Sequence, residues 1–289
     1  MKINKALITA AGDRERKIPL QTLVDRDGTT RTVLAMLVNE VLNAGVEDIC
    51  VVVPSGERDR YASAVPDQAR RLCFIEQQDA PGYAGAVWSA RDHVCGEPFL
   101  HLVGDHVYIS GKRRSWAARL VDLADVQECS VSAVQPTHES SISRFGVIGG
   151  TPVNGQHAFY KIDAVVEKPT PTLAEQQLIV PGMRAGHYLA FFGMHVFTPA
   201  ILDLLAEQIR TDPASASVSS ALNRLASEER YLGWQVSAHR YDLGPRYGLL
   251  DAQLALALTG NDRDEVLSSL VRLLAAHKGN EEQLDGVVD

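Results

Sequence analysis

The chain has 289 residues, with 36 acidic and 28 basic side chains and a formal net charge of −8. This charge repels nucleic acid and anionic membranes, and the longest basic clusters, at 112–114 and 14–17, are short. No segment approaches the ~20 apolar residues that a membrane span needs. Residues 1–11 lack the apolar region of a signal peptide, and the 4 cysteines form no C-x-x-C pair. We therefore expect a cytoplasmic protein with reduced thiols and no nucleic-acid or membrane partner.

In the first half of the chain, short apolar runs alternate with amphipathic ones. This pattern is typical of a parallel sheet covered by helices. A helix is predicted from residue 33, where apolar side chains recur at helical spacing until Gly45, a common C-cap. A second helix is predicted at 83–93. Strands are predicted at 5–10, 49–53, 72–76 and 99–103.

The second half indicates a more mixed sheet, because its apolar runs are joined by connections rich in proline, glycine and asparagine. Strands are predicted at 130–134, 145–148, 164–167, 189–197 and 234–239. Helices are predicted at 199–209, 217–228, 247–258 and 264–277, with a polar tail from Lys278 that we expect to fray. The fold class is therefore α/β, with a mixed, mostly parallel sheet. We expect one domain over 1–260, followed by a C-terminal helix and tail over 261–289.

The last predicted helix is amphipathic. Its apolar residues are expected to pack on the body of the protein, and packing on a second subunit of a homo-oligomer is the alternative. The apolar positions are Val266, Leu267, Leu270, Val271, Leu273 and Leu274.

Ligands of open α/β sheets bind beyond the carboxyl ends of the strands, so polar residues at those ends are candidate site residues. The first strand ends in Ala10, Ala11 and Gly12, where small residues let backbone amides approach a phosphate. An ordinary turn between strand and helix is the alternative. Gly12 has no G-x-x-G companion, so this is not a dinucleotide-binding fingerprint.

Two further strand ends have polar residues that suit nucleotide binding. Gln77 can donate to and accept from the edge of a base, and the small residues that begin at Gly82 leave room for its ring. A polar turn into a helix is the alternative. Asp105, after the strand at 99–103, is a natural magnesium ligand, although turn aspartates are common. Asp105 is not part of a Walker motif, because Gly111 and Lys112 are wrongly spaced.

Charged residues also follow the strand-like runs near 167 and 241. Glu167 could accept hydrogen bonds from sugar hydroxyls and Lys168 could contact a phosphate, while an exposed ion pair is the alternative. Asp242 offers another carboxylate at a strand-to-helix junction. The alternatives are that it begins a turn or caps a helix, and a helix cap is the commoner role.

The order and spacing of these motifs resemble the bacterial UTP–glucose-1-phosphate uridylyltransferases, of the sugar-1-phosphate nucleotidyltransferase superfamily, over most of residues 3–259. The stretch 77–87 is similar to the base-binding Q-G-L-A-K-G-x-G-x-A-V segment of that family. V-V-E-K-P stands at 165–169, F-G-V at 145–147 is similar to Y-G-V, and 242–244 is similar to the family's second metal-binding motif.

This resemblance implies a Rossmann-like nucleotidyltransferase fold. It also implies that a sugar-1-phosphate oxygen attacks the α-phosphorus of a nucleoside triphosphate, with UTP and glucose 1-phosphate as first guesses. Carried over residue by residue, it places Mg²⁺ at Asp105 and Asp242, the nucleotide at Ala11, Gly12, Gln77 and Gly82, and the sugar phosphate at Gly146, Glu167, Lys168 and Gly193.

The loop after the first strand departs from the family pattern. Residues 12–19 are shorter than the family loop, lack its G-T-R, and are followed by Leu20 where a lysine is expected. Arg14, Arg16 and Lys17 are candidates for taking over the catalytic phosphate contacts, and ordinary surface charge is the alternative.

Two other functions are compatible with parts of this pattern. A catalytically impaired homologue would bind nucleotide or nucleotide sugar in a regulatory or partner-subunit role. A metal-dependent glycosyltransferase is disfavoured, because the D-H-V sequence at 105–107 lacks the second aspartate of D-x-D.

Overall fold

The structure is a computed structural model that describes residues 1–12, 17–78, 82–109, 114–237 and 239–285. Its strands are β1 (Lys5–Thr9), β2 (Thr22–Val24), β3 (Thr30–Thr32), β4 (Asp48–Pro54), β5 (Leu72–Gln77), β6 (Phe99–Val103), β7 (His106–Ile109), β8 (Ser130–His138), β9 (Gly146–Pro152), β10 (Phe159–Glu167), β11 (His187–Phe197), β12 (Tyr231–Gln235) and β13 (His239–Asp242). Its α-helices are α1 (Val33–Leu42), α2 (Arg58–Ser63), α3 (Gly82–Ser89), α4 (Arg91–Val94), α5 (Trp116–Gln127), α6 (Pro171–Gln177), α7 (Ala200–Thr211), α8 (Val218–Glu228), α9 (Gly248–Thr259) and α10 (Arg263–Asp285).

The main sheet has 9 strands in the order β5-β4-β1-β6-β11-β8-β12-β10-β9. The first four of these strands pair in parallel. In the rest of the sheet, β10 and β11 are antiparallel to their neighbours, whereas β8 and β12 pair in parallel. All strands of the main sheet except β10 and β11 therefore point in one direction, which confirms the prediction of a mixed, mostly parallel sheet.

The parallel half of the sheet is buried on both faces. Along β4, Ile49, Val51 and Val53 belong to one apolar core, whereas Cys50 and Val52 belong to another on the opposite face. Successive side chains of a strand point to opposite faces, so a strand covered on both sides becomes a continuous apolar run. This burial explains why the sequence around β4 reads as unbroken hydrophobic residues.

A small antiparallel ribbon at the edge of the core is the main difference from the predicted elements. The run at 234–239 was predicted to be one strand, but β12 ends at Gln235 in the main sheet and β13 begins at His239 in a separate pairing with β7. The prediction of a single strand at 234–239 was wrong, because an apolar run does not reveal that the chain passes from one sheet to another within it. The ribbon places Asp242 opposite His106 in register.

The predicted helix at 83–93 is interrupted. Helix α3 ends at Ser89, whose hydroxyl donates to the Gly85 carbonyl, and the short helix α4 follows after Ala90. A serine that bonds back to its own helix competes with regular helical hydrogen bonding and favours such a break.

The C-terminal helix differs from expectation in length and in packing. The backbone of α10 is helical to Asp285, beyond the predicted helix end at residue 277. Val266, Leu267 and Leu270 are partly buried, but the other apolar residues predicted to pack on the body are exposed. Those exposed residues are Val271, Leu273 and Leu274. Among the described helices, none is both long and apolar enough to cross a membrane.

Candidate active site

A cleft of about 350 Å³ opens beyond the carboxyl ends of β1 and β6. Ala11 and Gly12 follow β1 and line the cleft, and Gly104 and Asp105 line it after β6. Four strands separate β1 from β6 in sequence, but the two are paired neighbours in the sheet, so their carboxyl ends lie side by side. The cleft therefore lies where ligands of open α/β sheets bind.

Asp105, His106 and Asp242 form a cluster in this cleft. One candidate ligand atom from each residue lies within 4.8 Å of the others. His106 Nδ1 lies 2.6 Å from Asp105 Oδ1, so the imidazole holds one carboxylate oxygen in place. The two aspartates are 137 positions apart in sequence, yet they line the same cleft.

Asp242 is fixed by its backbone and by the turn that follows it. Its Oδ1 accepts a hydrogen bond of 3.0 Å from the Gly244 amide, which is the turn-forming role that was considered as the alternative. The Leu243 amide donates to the Asp105 carbonyl over 2.9 Å, which ties the two segments together. Gly248 packs so closely that a Cβ there would lie 2.3 Å from the Asp242 carbonyl oxygen. A turn role and a ligand role are therefore compatible at Asp242.

The charges around Asp105 favour its ionised form. Burial by itself would raise the pKa of this carboxyl, but His106 and then Arg240 outweigh burial, and the pKa is lower than usual. Arg240 lies with its guanidinium carbon 3.8 Å from the ring centre of Phe145. Burial lowers the pKa of Arg240 to about 10, which leaves the side chain cationic at neutral pH. The cleft thus contains an anionic cluster beside a fixed cation.

A second polar group lines the cleft at the end of β10. Glu167 Oε2 accepts a hydrogen bond of 2.6 Å from the Ser219 hydroxyl, near the start of α8. Lys168 Nζ lies 3.6 Å from Glu167 Oε1, and the Lys168 amide donates to the Phe145 carbonyl. Both charged side chains are about half exposed, so this ion pair by itself adds little stability. Gly146 lines the cleft next to Glu167.

Gly193 lies in an irregular part of β11, between the residues where its register with β8 shifts. Its φ of +85° is in the region that favours glycine, and a Cβ there would lie 2.7 Å from Val103 Cγ2. The Gly193 carbonyl accepts a hydrogen bond of 2.7 Å from the Tyr108 hydroxyl. The irregularity lets backbone rather than a side chain line the cleft at this position.

The residues predicted to bind the base lie at the entrance of α3. Gly82 lines the cleft, and Gln77 Nε2 donates to the Gly82 carbonyl over 2.9 Å. Gln77 is not among the described residues that line the cleft, but its hydrogen bond connects it to Gly82, which does line it. Tyr83 keeps 40% of its surface exposed, but its hydroxyl lies 2.7 Å from the buried His101 Nε2.

Of the three loop residues predicted to contact phosphates, one lies among the described residues. Arg14 and Arg16 lie outside the described residues. Lys17 is exposed and is not among the described lining residues, whereas Pro19 does line the cleft. Leu20 is partly buried and packs against the apolar core.

Several residues that line the cleft were not predicted from the sequence. Arg240 stands two positions before Asp242 on the same strand, so strand periodicity would have placed both side chains on one face. Arg144 directly precedes the F-G-V motif, and His106 directly follows Asp105. Ser219 has no such local signal, because it reaches Glu167 from a different helix.

Comparison with known proteins decides the family. The family model described as nucleotidyl transferase matches residues 13–258 of this chain. The chain belongs to the nucleotidyl transferase family. Among curated relatives, the UTP–glucose-1-phosphate uridylyltransferase of Bacillus subtilis (strain 168) is 25% identical over 300 residues, covering 94% of this chain and 98% of the relative. UTP–glucose-1-phosphate uridylyltransferase 1 of Streptococcus pyogenes serotype M3 is 26% identical, with coverages of 89% and 90%.

Solved structures of this nucleotidyl transferase's relatives share its fold. A UDP-glucose pyrophosphorylase complexed with UDP-glucose matches with a TM-score of 0.72 at 23% identity, covering 88% of this chain and 98% of that one. A UTP-bound enzyme of the same name from Acinetobacter baumannii matches with a TM-score of 0.70 at 18% identity, covering 93% and 98%. The Rossmann-like nucleotidyltransferase fold is therefore confirmed.

Proposed function

We propose that this nucleotidyl transferase couples UTP to glucose 1-phosphate, giving UDP-glucose and pyrophosphate. This proposal is supported above all by the position of Asp105 and Asp242 in the same cleft as Glu167 and Lys168. A metal-binding cluster and a group suited to a sugar phosphate are thus close to one another. In the proposed reaction, an oxygen of the sugar phosphate attacks the α-phosphorus, and pyrophosphate leaves.

The identity of the two substrates is supported by the relatives. The curated proteins that match most of this chain are named for UTP and glucose 1-phosphate. Two structures of the same fold are described with UDP-glucose and with UTP bound. We assign the nucleotide to the side lined by Ala11, Gly12 and Gly82, and the sugar phosphate to the side lined by Gly146, Glu167, Lys168 and Gly193.

The cluster in the cleft suits a divalent cation. Two carboxylates supply the hard oxygen donors that Mg²⁺ prefers, and the His106 imidazole is already engaged with Asp105. We propose that Asp105 and Asp242 hold Mg²⁺. When bound, the ion would offset the negative charge of the phosphates and of the leaving pyrophosphate. The ordinarily ionised state of Asp105 prepares the site for a cation without proton release from that carboxyl.

Positive side chains would supply the remaining charge compensation. Of the described residues that line the cleft, Arg144, Lys168 and Arg240 carry a fixed positive charge. Preorganised cations stabilise charge that develops on phosphoryl oxygens and cost no reorganisation during the reaction. We propose that Arg240, braced against Phe145, contributes a phosphate contact that Leu20 cannot provide. Whether Arg14, Arg16 and Lys17 add to it is tested by replacing all three with alanine.

The direct test is an assay of pyrophosphate release with purified protein and Mg²⁺. Each of the common nucleoside triphosphates is offered with a panel of sugar 1-phosphates. We expect release to be fastest with UTP and glucose 1-phosphate, and to need both substrates. Binding of UTP without pyrophosphate release under any pairing would contradict the proposal.

A further inference from the structure

Two cysteines lie side by side at the edge of the main sheet. Cys50 on β4 and Cys73 on β5 are partners in the parallel register. Cys50 is buried, whereas Cys73 is exposed on β5, the outermost strand of this side of the sheet. Neither residue is among those that line the cleft. One thiol is therefore shielded by the core, and the other faces solvent.

The positions of the two cysteines suit a disulfide bond. Neighbouring strands lie about 4.8 Å apart. This spacing falls inside the Cα–Cα range of about 4.4–6.8 Å that disulfides span. Register partners carry their side chains on the same face of the sheet, so the Cys50 and Cys73 thiols are neighbours on that face.

The surroundings of Cys73 favour a thiolate. The hydrogen bond from Cys50 is the largest cause, and the charges of His93 on α4 and Arg58 on α2 add to it, so the pKa of Cys73 is lowered to about 6. His93 Nε2 lies 3.1 Å from Asp48 Oδ1, an ion-pair distance without hydrogen-bond geometry. The same hydrogen bond, followed by burial, raises the pKa of Cys50. Cys73 is thus the nucleophile of the pair, and Cys50 keeps its proton.

The two other cysteines have different surroundings and provide internal controls. Cys95 is exposed, and its thiol donates to the Asp92 carbonyl over 2.9 Å. Cys129 is buried at the edge of the core. A thiol that is merely exposed is therefore available for comparison in the same molecule.

We propose that Cys73 is a site of oxidation by hydroperoxides and that Cys50 resolves the oxidised form into an intrachain disulfide. The Cys73 thiolate attacks one oxygen of hydrogen peroxide, the O–O bond breaks, and the released hydroxide takes a proton to form water. The Cys50 sulfur then attacks the sulfenic sulfur, and the S–S bond forms. The leaving hydroxide combines with the Cys50 proton as a second water, so two thiols and one peroxide give one disulfide and two waters. This inference does not depend on the proposed function.

The test is a nonreducing peptide map of the full-length protein after brief exposure to hydrogen peroxide. Trypsin cleaves after Arg58, Arg60, Arg70 and Arg71, between the two cysteines, so a disulfide joins two separate peptides. We expect the peptides of Cys50 and Cys73 to be linked, and the link to disappear with dithiothreitol. In Cys50→Ser, dimedone should trap Cys73 as a sulfenic acid. Cys95→Ser, the matched control, should form the link as the unmodified protein does.

The rate of alkylation supplies a readout that needs no variant. Iodoacetamide should modify Cys73 with a pH inflection near 6, since the reactive thiolate is present above that pH and is lost below it. At pH 6 we expect Cys73 to react about tenfold faster than an ordinary exposed thiol, after allowing for the lower nucleophilicity of a low-pKa thiolate. An inflection above pH 8, or peroxide oxidation of Cys95 without a link between Cys50 and Cys73, would overturn the proposal.

Discussion

Asp105 and Glu167 line one cleft, and each carboxylate is held by a different partner. His106 Nδ1 lies 2.6 Å from Asp105 Oδ1 and favours the ionised carboxylate, whereas the Ser219 hydroxyl donates to Glu167 over the same distance. Asp105 is therefore suited to a cation. Glu167 keeps its second oxygen close to Lys168, where hydroxyl and phosphate groups of a sugar phosphate can be bound together.

Glu167→Gln should weaken binding of the sugar phosphate. A hydrogen bond to a charged group contributes about 1.5–3 kcal/mol, so KM for glucose 1-phosphate should rise about 10- to 100-fold, with a smaller change in kcat. Steady-state kinetics with varied glucose 1-phosphate measure the effect. Asp163→Asn is the matched control, because Asp163 lies on the same strand and pairs with Lys161 outside the cleft. Equal kinetics for the two variants would contradict the role assigned to Glu167.

Single residues were predictable from sequence where a local motif marks them. Asp105, Glu167 and Lys168 stand at or just after the ends of apolar strands, and strand ends are where an α/β sheet binds ligands. Ser219 was not predictable, because its contact with Glu167 spans 52 positions and depends on how α8 packs on β10. The roles of the predicted site residues stay predictions until the variants are measured.

At the scale of elements, the β7–β13 ribbon assembles the proposed metal-binding cluster. It pairs Asp242 with His106, and the chain turns at Gly244 into α9. Because Gly248 begins α9 against the Asp242 backbone, the position of this helix and the position of the carboxylate are coupled.

Gly248→Ala should displace Asp242 without unfolding the protein. The added Cβ would lie 2.3 Å from the Asp242 carbonyl oxygen, and backbone atoms cannot yield as a flexible side chain can. Misplacement of a site by about 1 Å costs on the order of 100-fold in rate, so kcat should fall by about that factor. Leu250→Ala, at an exposed residue of the same helix, should leave kcat unchanged. Normal kcat in Gly248→Ala would show that α9 does not position Asp242.

The long strands and helices were predictable because their periodicity is local. The prediction failed where a local pattern cannot decide the outcome, as at residues 234–239, where the chain passes from the main sheet to the ribbon. It also failed at Ala90, where a side-chain hydrogen bond from Ser89 accompanies the break between two helices.

At the scale of the whole molecule, two histidines lie buried where the parallel half of the sheet meets β11. His101 on β6 and His195 on β11 are register partners, and their rings stack with centres 5.8 Å apart. His101 Nδ1 lies 3.2 Å from the Leu7 carbonyl oxygen, which can only accept, so Nδ1 carries the proton. Burial lowers the pKa of His101, so the ring is neutral at neutral pH and Nε2 accepts from the Tyr83 hydroxyl.

Protonation of His101 should destabilise the fold in acid. Burial lowers its pKa to about 4, whereas the unfolded value is about 6.5. Between these values the unfolded state binds more protons, so the free energy of unfolding falls as pH decreases, by about 3 kcal/mol from this residue. Urea unfolding between pH 7 and pH 4 should show a shallower pH dependence in His101→Gln than in the unmodified protein. An identical slope in both proteins would contradict a buried neutral His101.

In the proposed reaction, Asp105 and Asp242 together hold the cation for nucleotidyl transfer. The most direct measurement follows ³²P from the α-phosphate of UTP into UDP-glucose, in the presence of Mg²⁺ and glucose 1-phosphate. Transfer should occur with the unmodified protein and with Asp67→Asn, an exposed control outside the cleft. It should be slowed by at least about 100-fold in both Asp105→Asn and Asp242→Asn. Undiminished transfer in either cleft variant, or label that stays in UTP with the unmodified protein, would contradict the account.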